Sequence, residues 1–476
     1  MTPQELRLKY ANRHGLITGA TGTGKTITLQ VLVESFSAVG VPVFTVDMKG
    51  DLSGIAKKGV DSDVFNLRAK TISYDRKYAA CPTIFWDVFA KRGHPLRVTI
   101  SEMGPLLLSR LLELNDTQAG VLDVVFAVAD AEKLLLLDLA DLRAMLVHVS
   151  DEAKKLSKIY GLISSTTISA IQRNLLRLER DGADALFGEP VLDIADIMQK
   201  DAQGHGVVSI LAAEDLINSP KIYSAFMLWL LSELFEQLPE VGDADKPELV
   251  FFFDEAHLLF DEAPKVLIDK IEQLVRLIRS KGVGIYFVTQ SPGDIPEDIL
   301  SQLGNRVQHA LRAYTPKEQK NIKAAAQSFR ANPEFDTEEV IGQLGSGEAL
   351  VSVLDKDAKP SIVERTLIRP PNSFVGPLTD SERTILINES LVAGKYREGI
   401  NRESAYELLA QRAGVSNKKV SDTTEKKSAK TTAHKKQVDD GIIEKTVSSM
   451  LGKLVTNIGT QVARELTRSL LRTLRK

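Results

Sequence analysis

Short apolar runs recur along the chain, each followed by turn residues and then by a stretch with apolar positions every three or four residues. That pattern predicts strands alternating with helices. The first run, Gly15-Leu16-Ile17, leads through a glycine-rich turn into a helix that starts at 27–33 and stops near Gly40, just before Pro42. Val43-Phe44-Thr45-Val46 is a buried strand with Asp47 at its end, and strand character returns over 206–211, 249–253 and 284–288. Helices are predicted over 220–238 and 266–281. Apolar runs this short and continuous, alternating with helices, predict an α/β fold with a mostly parallel, doubly wound sheet.

Between 101 and 200 the period changes. Leucine, alanine and charged residues recur at helical spacing over 106–114, 119–130, 139–150 and 164–180, the last with Ile168, Ile171, Leu175 and Leu178 on one face. This is an all-helical insertion dividing an α/β core into parts at 1–100 and 201–371. The second part continues with a helix over 317–330, a turn at Leu344-Gly345-Ser346-Gly347, and a hairpin over 349–354 and 361–368. Pro370-Pro371 closes the core, and 372–416 is a helical extension. Residues 417–437, rich in Lys, Ser and Thr, read as a disordered linker. Residues 438–476 regain a helical period through Ile443, Val447, Met450, Leu454, Ile458, Val462, Leu466 and Leu470. Arg464, Arg468, Arg472, Arg475 and Lys476 make that helix basic.

Composition narrows this picture only a little. Of 476 residues 43% are hydrophobic and 26% charged, which is ordinary for a globular protein, and the net charge of −3 excludes a uniformly basic surface. The single cysteine, Cys81, excludes an internal disulfide framework. The first dozen residues are polar, and the strongest apolar runs are interrupted by Asp138 and Glu233. A cytoplasmic location is therefore expected, and a membrane association is not.

The chemistry begins at Gly19-Ala20-Thr21-Gly22-Thr23-Gly24-Lys25-Thr26, a complete G-x-x-x-x-G-K-[ST] phosphate loop between a strand and a helix. Glycines let the backbone N–H groups wrap a triphosphate at a helix N-terminus. Lys25 then reaches the β- and γ-phosphates, and Thr26 takes one Mg²⁺ position. ATP and Mg²⁺ are the expected ligands. The second constellation, Asp254-Glu255 after Leu249-Val250-Phe251-Phe252-Phe253, supplies a carboxylate for the Mg²⁺ shell through water (Asp254) and one to polarise the attacking water (Glu255). Gln290, ending the next strand, is placed to touch both γ-phosphate and water. Phosphoryl transfer in such enzymes commonly uses an arginine on the developing charge, often from a neighbouring subunit. Arg306 is the first candidate, with Arg312 and Arg279 behind it. Asp47, Lys49 and Asp51 fall on the same sheet edge, either functional or as loop caps.

Together, Gly-Ala-Thr-Gly-Thr-Gly-Lys-Thr, Phe-Phe-Asp-Glu-Ala-His, the segment Arg279 to Pro292 and Gly304-Asn305-Arg306 resemble the HerA–FtsK superfamily of P-loop motor ATPases, over roughly residues 10–370. Within it the chain is most similar to the HerA-like bacterial group typified by YjgR. The resemblance implies a RecA-like core, a homo-hexameric ring with ATP between subunits, and movement on double-stranded DNA. It departs from archaeal HerA proteins, whose ATPase follows a β-barrel, because here the phosphate loop begins at Gly19. It also departs from FtsK-type translocases, whose membrane spans and winged helix are not found. Two other readings stay open: an ATP-gated scaffold, or a motor acting on a protein partner rather than DNA. The basic tail could pack on the ring, contact nucleic acid, or lie on a membrane.

Overall fold

The computed structural model describes residues 3–242, 244–260, 265–400 and 402–414. The expected linker at 417–437 and tail at 438–476 lie outside them. The compact unit runs to Gln411.

Among the described residues ten strands form one sheet: β1 (Gly15–Thr18), β2 (Val43–Asp47), β3 (Thr83–Asp87), β4 (His94–Pro95), β5 (Val208–Ala212), β6 (Leu249–Phe253), β7 (Val283–Thr289), β8 (Asn305–Gln308), β9 (Glu348–Ser352) and β10 (Glu364–Leu367). Their spatial order is β10-β9-β8-β1-β7-β6-β2-β5-β3-β4. The eight strands from β8 to β4 are parallel, and β9 and β10 extend the sheet antiparallel at one edge. The register brings the C-terminal ends of β1, β7, β6 and β2 onto one edge, with Thr18 beside Thr289 and Val46 beside Phe253.

The central strands are buried along their whole length because each face has its own core. Phe251 and Phe253 face the larger core, while Val250 and Phe252 face the other with Leu29, Val33 and Phe36 of α1 (Lys25–Ala38). Aromatic rings fix the register by contact: Phe44 with Phe251 at 4.9 Å, Phe252 with Tyr286 at 5.1 Å, and Phe253 with Phe287 at 5.4 Å between centroids. Pairs at such spacings contribute roughly 0.5–1.5 kcal/mol each beyond their burial.

After α2 (Asp63–Thr71) the insertion is helical as read: α3 (Ile100–Leu111), α4 (Asp116–Glu132), α5 (Leu139–Asp151), α6 (Ala153–Tyr160) and α7 (Ser165–Arg180). Capping boxes at Thr99, Asn115 and Asp138 start three of them, and α3 kinks at Gly104-Pro105. Ile168, Ile171, Leu175 and Leu178 are all buried. The insertion shares one continuous core with the sheet face that carries Phe251 and Phe253, through Leu122, Met145 and Phe226. It is a layer of the fold rather than a body of its own.

Beyond the hairpin the chain returns to α1. Glu34 accepts from the backbone N–H groups of Asn372 (2.9 Å) and Ser373 (2.7 Å), and Gln30 donates to Ser373 Oγ (2.6 Å). Pro370-Pro371 therefore leads into a strap that braces the phosphate-loop helix.

Candidate functional site

The phosphate loop joins β1 to α1 in the form its sequence requires. Gly19, Gly22 and Gly24 have φ of 154°, 78° and 116°, which side-chain-bearing residues rarely adopt. At Gly19 there is a second reason: a Cβ there would lie 2.4 Å from His309 Cβ. The loop is braced from the β8–β9 side. Ala20 N–H donates to Ala310 O (2.8 Å), His309 N–H to Thr18 O (2.7 Å) and Gly347 N–H to Thr23 O (2.9 Å). His309 Nδ1 donates to Glu348 O (2.9 Å), so its Nε2 accepts from Thr28 Oγ1 of α1 (2.8 Å). Ser346 Oγ donates to Gly22 O (3.3 Å), and Arg68 of α2 holds the same turn through Gly347 O (2.6 Å). Sequence reading found the turn at 344–347 but had no signal joining it, or Gln308-His309, to the loop. That contact depends on β8 pairing beside β1.

Lys25 is buried and donates to the loop's own carbonyls, Gly19 O (2.7 Å) and Ala20 O (3.2 Å). Burial lowers its pKa. Thr26 lies in the first turn of α1.

Across β7 stand the carboxylates. Asp254 and Glu255 follow β6 directly, and both are buried. Burial, then the charge of Glu255, pushes Asp254 up to about 7. Glu255 sits in the left-handed region, φ 46°, which non-glycine residues uncommonly adopt. Its Oε1 accepts from Lys49 Nζ, and His257 Nδ1 lies 3.4 Å from Oε2, which has no hydrogen-bond partner. Burial raises the Glu255 pKa, but the hydrogen bond and charge of Lys49 outweigh it and leave the group below its usual value.

Asp47 is a loop brace. Its carboxylate accepts the N–H groups of Lys49 (3.3 Å), Gly50 (2.8 Å) and Leu52 (3.1 Å), and burial beside Asp51 and Glu214 raises it to about 6. Gln290 is exposed at the end of β7, between the phosphate loop and the carboxylate pair, with no hydrogen bond to another described residue.

The three arginines differ sharply. Arg306 on β8 donates to Leu300 O (3.0 Å), Leu303 O (3.1 Å) and Ser328 O (3.3 Å) of its own chain. Arg312 is held by Gly342 O and Leu344 O. Arg279 is exposed, at the turn that enters β7 from the opposite sheet edge.

The donor set fits a nucleotide with Mg²⁺. Mg²⁺ in such sites keeps waters and takes one or two protein oxygens besides phosphate. Thr26 supplies one such oxygen and Asp254 would hold a water of the shell, and the buried Asp254–Glu255 pair is where added positive charge offsets repulsion. Among the described residues no cluster of three or more His, Cys, Asp or Glu forms a protein-only metal cage. No helix among them is long and apolar enough to cross a membrane.

A glycine-rich loop at a helix N-terminus, facing paired carboxylates across one intervening strand, defines a RecA-like P-loop nucleotide-binding fold. More particularly, the chain belongs to the family described as "Helicase HerA-like C-terminal", whose sequence model matches residues 1–476. It is similar to the DNA double-strand break repair helicase HerA of Sulfolobus acidocaldarius, with 20% identity over 398 residues, covering 79% of this chain and 68% of that protein. HerA of Saccharolobus solfataricus is 22% identical over 351 residues, covering 73% and 63%. Among solved structures, the plasmid coupling protein TrwB with a non-hydrolysable ATP analogue superposes with a TM-score of 0.53 at 15% identity. That match covers 80% of this chain and 92% of TrwB. The unbound coupling protein gives 0.52 at 15% identity, covering 79% and 89%. At these identities the structures speak for the fold.

Proposed function

We propose that this chain hydrolyses ATP with Mg²⁺ and couples the cycle to movement on double-stranded DNA, as a homo-hexameric ring of the kind its family resemblance implies. We also assign it to the HerA-like group typified by YjgR, on the motifs quoted above. The observation that carries the reading is the convergence of Lys25, Thr26, Asp254, Glu255 and the exposed Gln290 on one sheet edge. In this reading Lys25 leaves the loop carbonyls for the phosphates, and Thr26 and Asp254 hold Mg²⁺, which spreads the charge on the phosphates. Glu255 orients water against the γ-phosphorus. One P–O bond forms as the bond to the β–γ bridging oxygen breaks, the water's proton leaves toward Glu255, and ADP and phosphate result. For the arginine in trans we propose Arg279. It is exposed and uncommitted, whereas Arg306 and Arg312 bind carbonyls of their own chain.

One observation supports a protein partner instead: the end of α6 carries Ile159, Tyr160 and Leu162 at 69%, 41% and 88% exposure. Steady-state ATPase activity, with and without long double-stranded DNA at two salt concentrations, separates the readings. DNA stimulation that fades with salt is expected. Turnover indifferent to DNA overturns the DNA reading in favour of the protein partner, and no turnover at all overturns hydrolysis.

A further inference from the structure

We infer that Lys49 is a positioning residue that detects the terminal phosphate: it holds Glu255 until a triphosphate draws its ammonium away. The inference rests on the nucleotide reading of the site. Its base is the loop after β2. Asp47 ties down the backbone at Lys49, Gly50 and Leu52, and Gly50, at φ 75°, turns the chain where any side chain would meet Glu214 Oε1 at 2.5 Å. The Lys49 side chain therefore leaves a fixed point and crosses to the end of β6, the strand paired with β2. There its Nζ meets Glu255 Oε1.

The partners are unequal. The Glu255 side chain is only 7% exposed, while that of Lys49 is 49% exposed and retains an open side. Lys25 is within electrostatic reach of Lys49, Glu255 and Asp254. In the nucleotide reading, the terminal phosphate that Lys25 takes up is therefore within the electrostatic reach of a second ammonium, that of Lys49. A triphosphate offers Lys49 a more concentrated negative charge than one carboxylate, and its ammonium has three donors to redirect. A diphosphate ends one phosphate short. Glu255 is accordingly released for the water when there is a γ-phosphate to attack, and is held by Lys49 when there is none.

The test is equilibrium binding of a non-hydrolysable ATP analogue and of ADP, each with Mg²⁺, to the full chain and its variants. Lys49→Ala is expected to weaken analogue binding by about tenfold, the worth of one charge-assisted hydrogen bond. ADP affinity should stay within about twofold, and Lys49→Arg should restore most of the difference. Glu255→Gln removes the competing anion, so analogue affinity should rise roughly threefold, and that rise should vanish in the Lys49→Ala/Glu255→Gln double variant. Lys49→Ala with an unchanged analogue-to-ADP ratio overturns the inference. Should Lys49→Ala fail to fold, unchanged analogue affinity in Glu255→Gln overturns it alone. Neither measurement requires turnover, so a chain that binds as expected yet does not hydrolyse ATP would refute the hydrolysis reading and leave this one standing.

Discussion

Glu255 and Lys25 illustrate how differently two residues of one site act. Glu255 is buried and its side chain bonds to Lys49 rather than to the loop, so replacing it leaves the cradle's own hydrogen bonds in place. Glu255→Gln is expected to retain ATP binding while turnover falls by about 10²–10⁴, the usual worth of a positioned base. Lys25→Ala should weaken both, because its ammonium is the cradle's own cation. Binding isotherms beside steady-state rates check the pair, and a Glu255→Gln protein that turns over normally would place the base elsewhere. At this scale the sequence was most informative where spacing dictates chemistry: the loop's glycines take the conformations that only their type tolerates. It was least informative for Lys49, whose partner is 206 residues away. His309 and Ser346 were equally hidden, because their roles exist only once strands distant in sequence lie side by side.

Elements show the same division. Strands β2, β5, β6 and β7 were legible because a strand covered on both faces is apolar throughout. β8, Asn-Arg-Val-Gln, was not. Its side chains bind backbone groups, with Asn305 donating to Tyr10 O (3.2 Å) and His14 O (3.0 Å), so no apolar period marks it. The insertion's helices were readable, but the surface they cover was not, since an amphipathic stripe does not name its partner.

Two histidines join these elements. His14 accepts from Ile285 N–H of β7 (3.0 Å) at Nδ1 and donates from Nε2 to Val275 O (2.8 Å); His309 joins β8, α1 and β9 in the same way. Burial lowers both to about 4, with Arg279 near His14 and Lys25 near His309 adding to the effect. The unfolded chain binds these protons near 6.5, so acid favours unfolding. Their contribution is complete above that pH and is lost as pH falls toward 4, at about 2 kcal/mol for each histidine by pH 5. Denaturant midpoints measured from pH 7 to 4.5 should fall, and His14→Gln should flatten the slope. A slope unchanged in that variant would show that His14 is not the group responsible.

At the scale of the whole molecule, the site shown by one chain is incomplete for the proposed chemistry. The edge that carries Lys25, Asp254 and Glu255 lacks an uncommitted arginine among the three considered, and Arg279 lies at the other end of β7. In the proposed ring, head-to-tail contact between copies would bring one chain's phosphate loop to the next chain's Arg279. Each interface then needs Lys25 from one subunit and Arg279 from its neighbour. Arg279→Ala alone should lose about 10³-fold or more in turnover with nucleotide binding kept, as should mixtures of it with itself. Arg306→Ala, whose guanidinium joins three carbonyls of its own fold, should instead lower the melting temperature. The decisive measurement mixes Arg279→Ala subunits with Lys25→Ala subunits, both inactive alone. In about a quarter of interfaces an Arg279→Ala chain supplies the intact Lys25 and its Lys25→Ala neighbour the intact Arg279, so activity should return on mixing. Two variants that stay inactive when mixed, while still assembling together, would mean that Arg279 does not act across the interface.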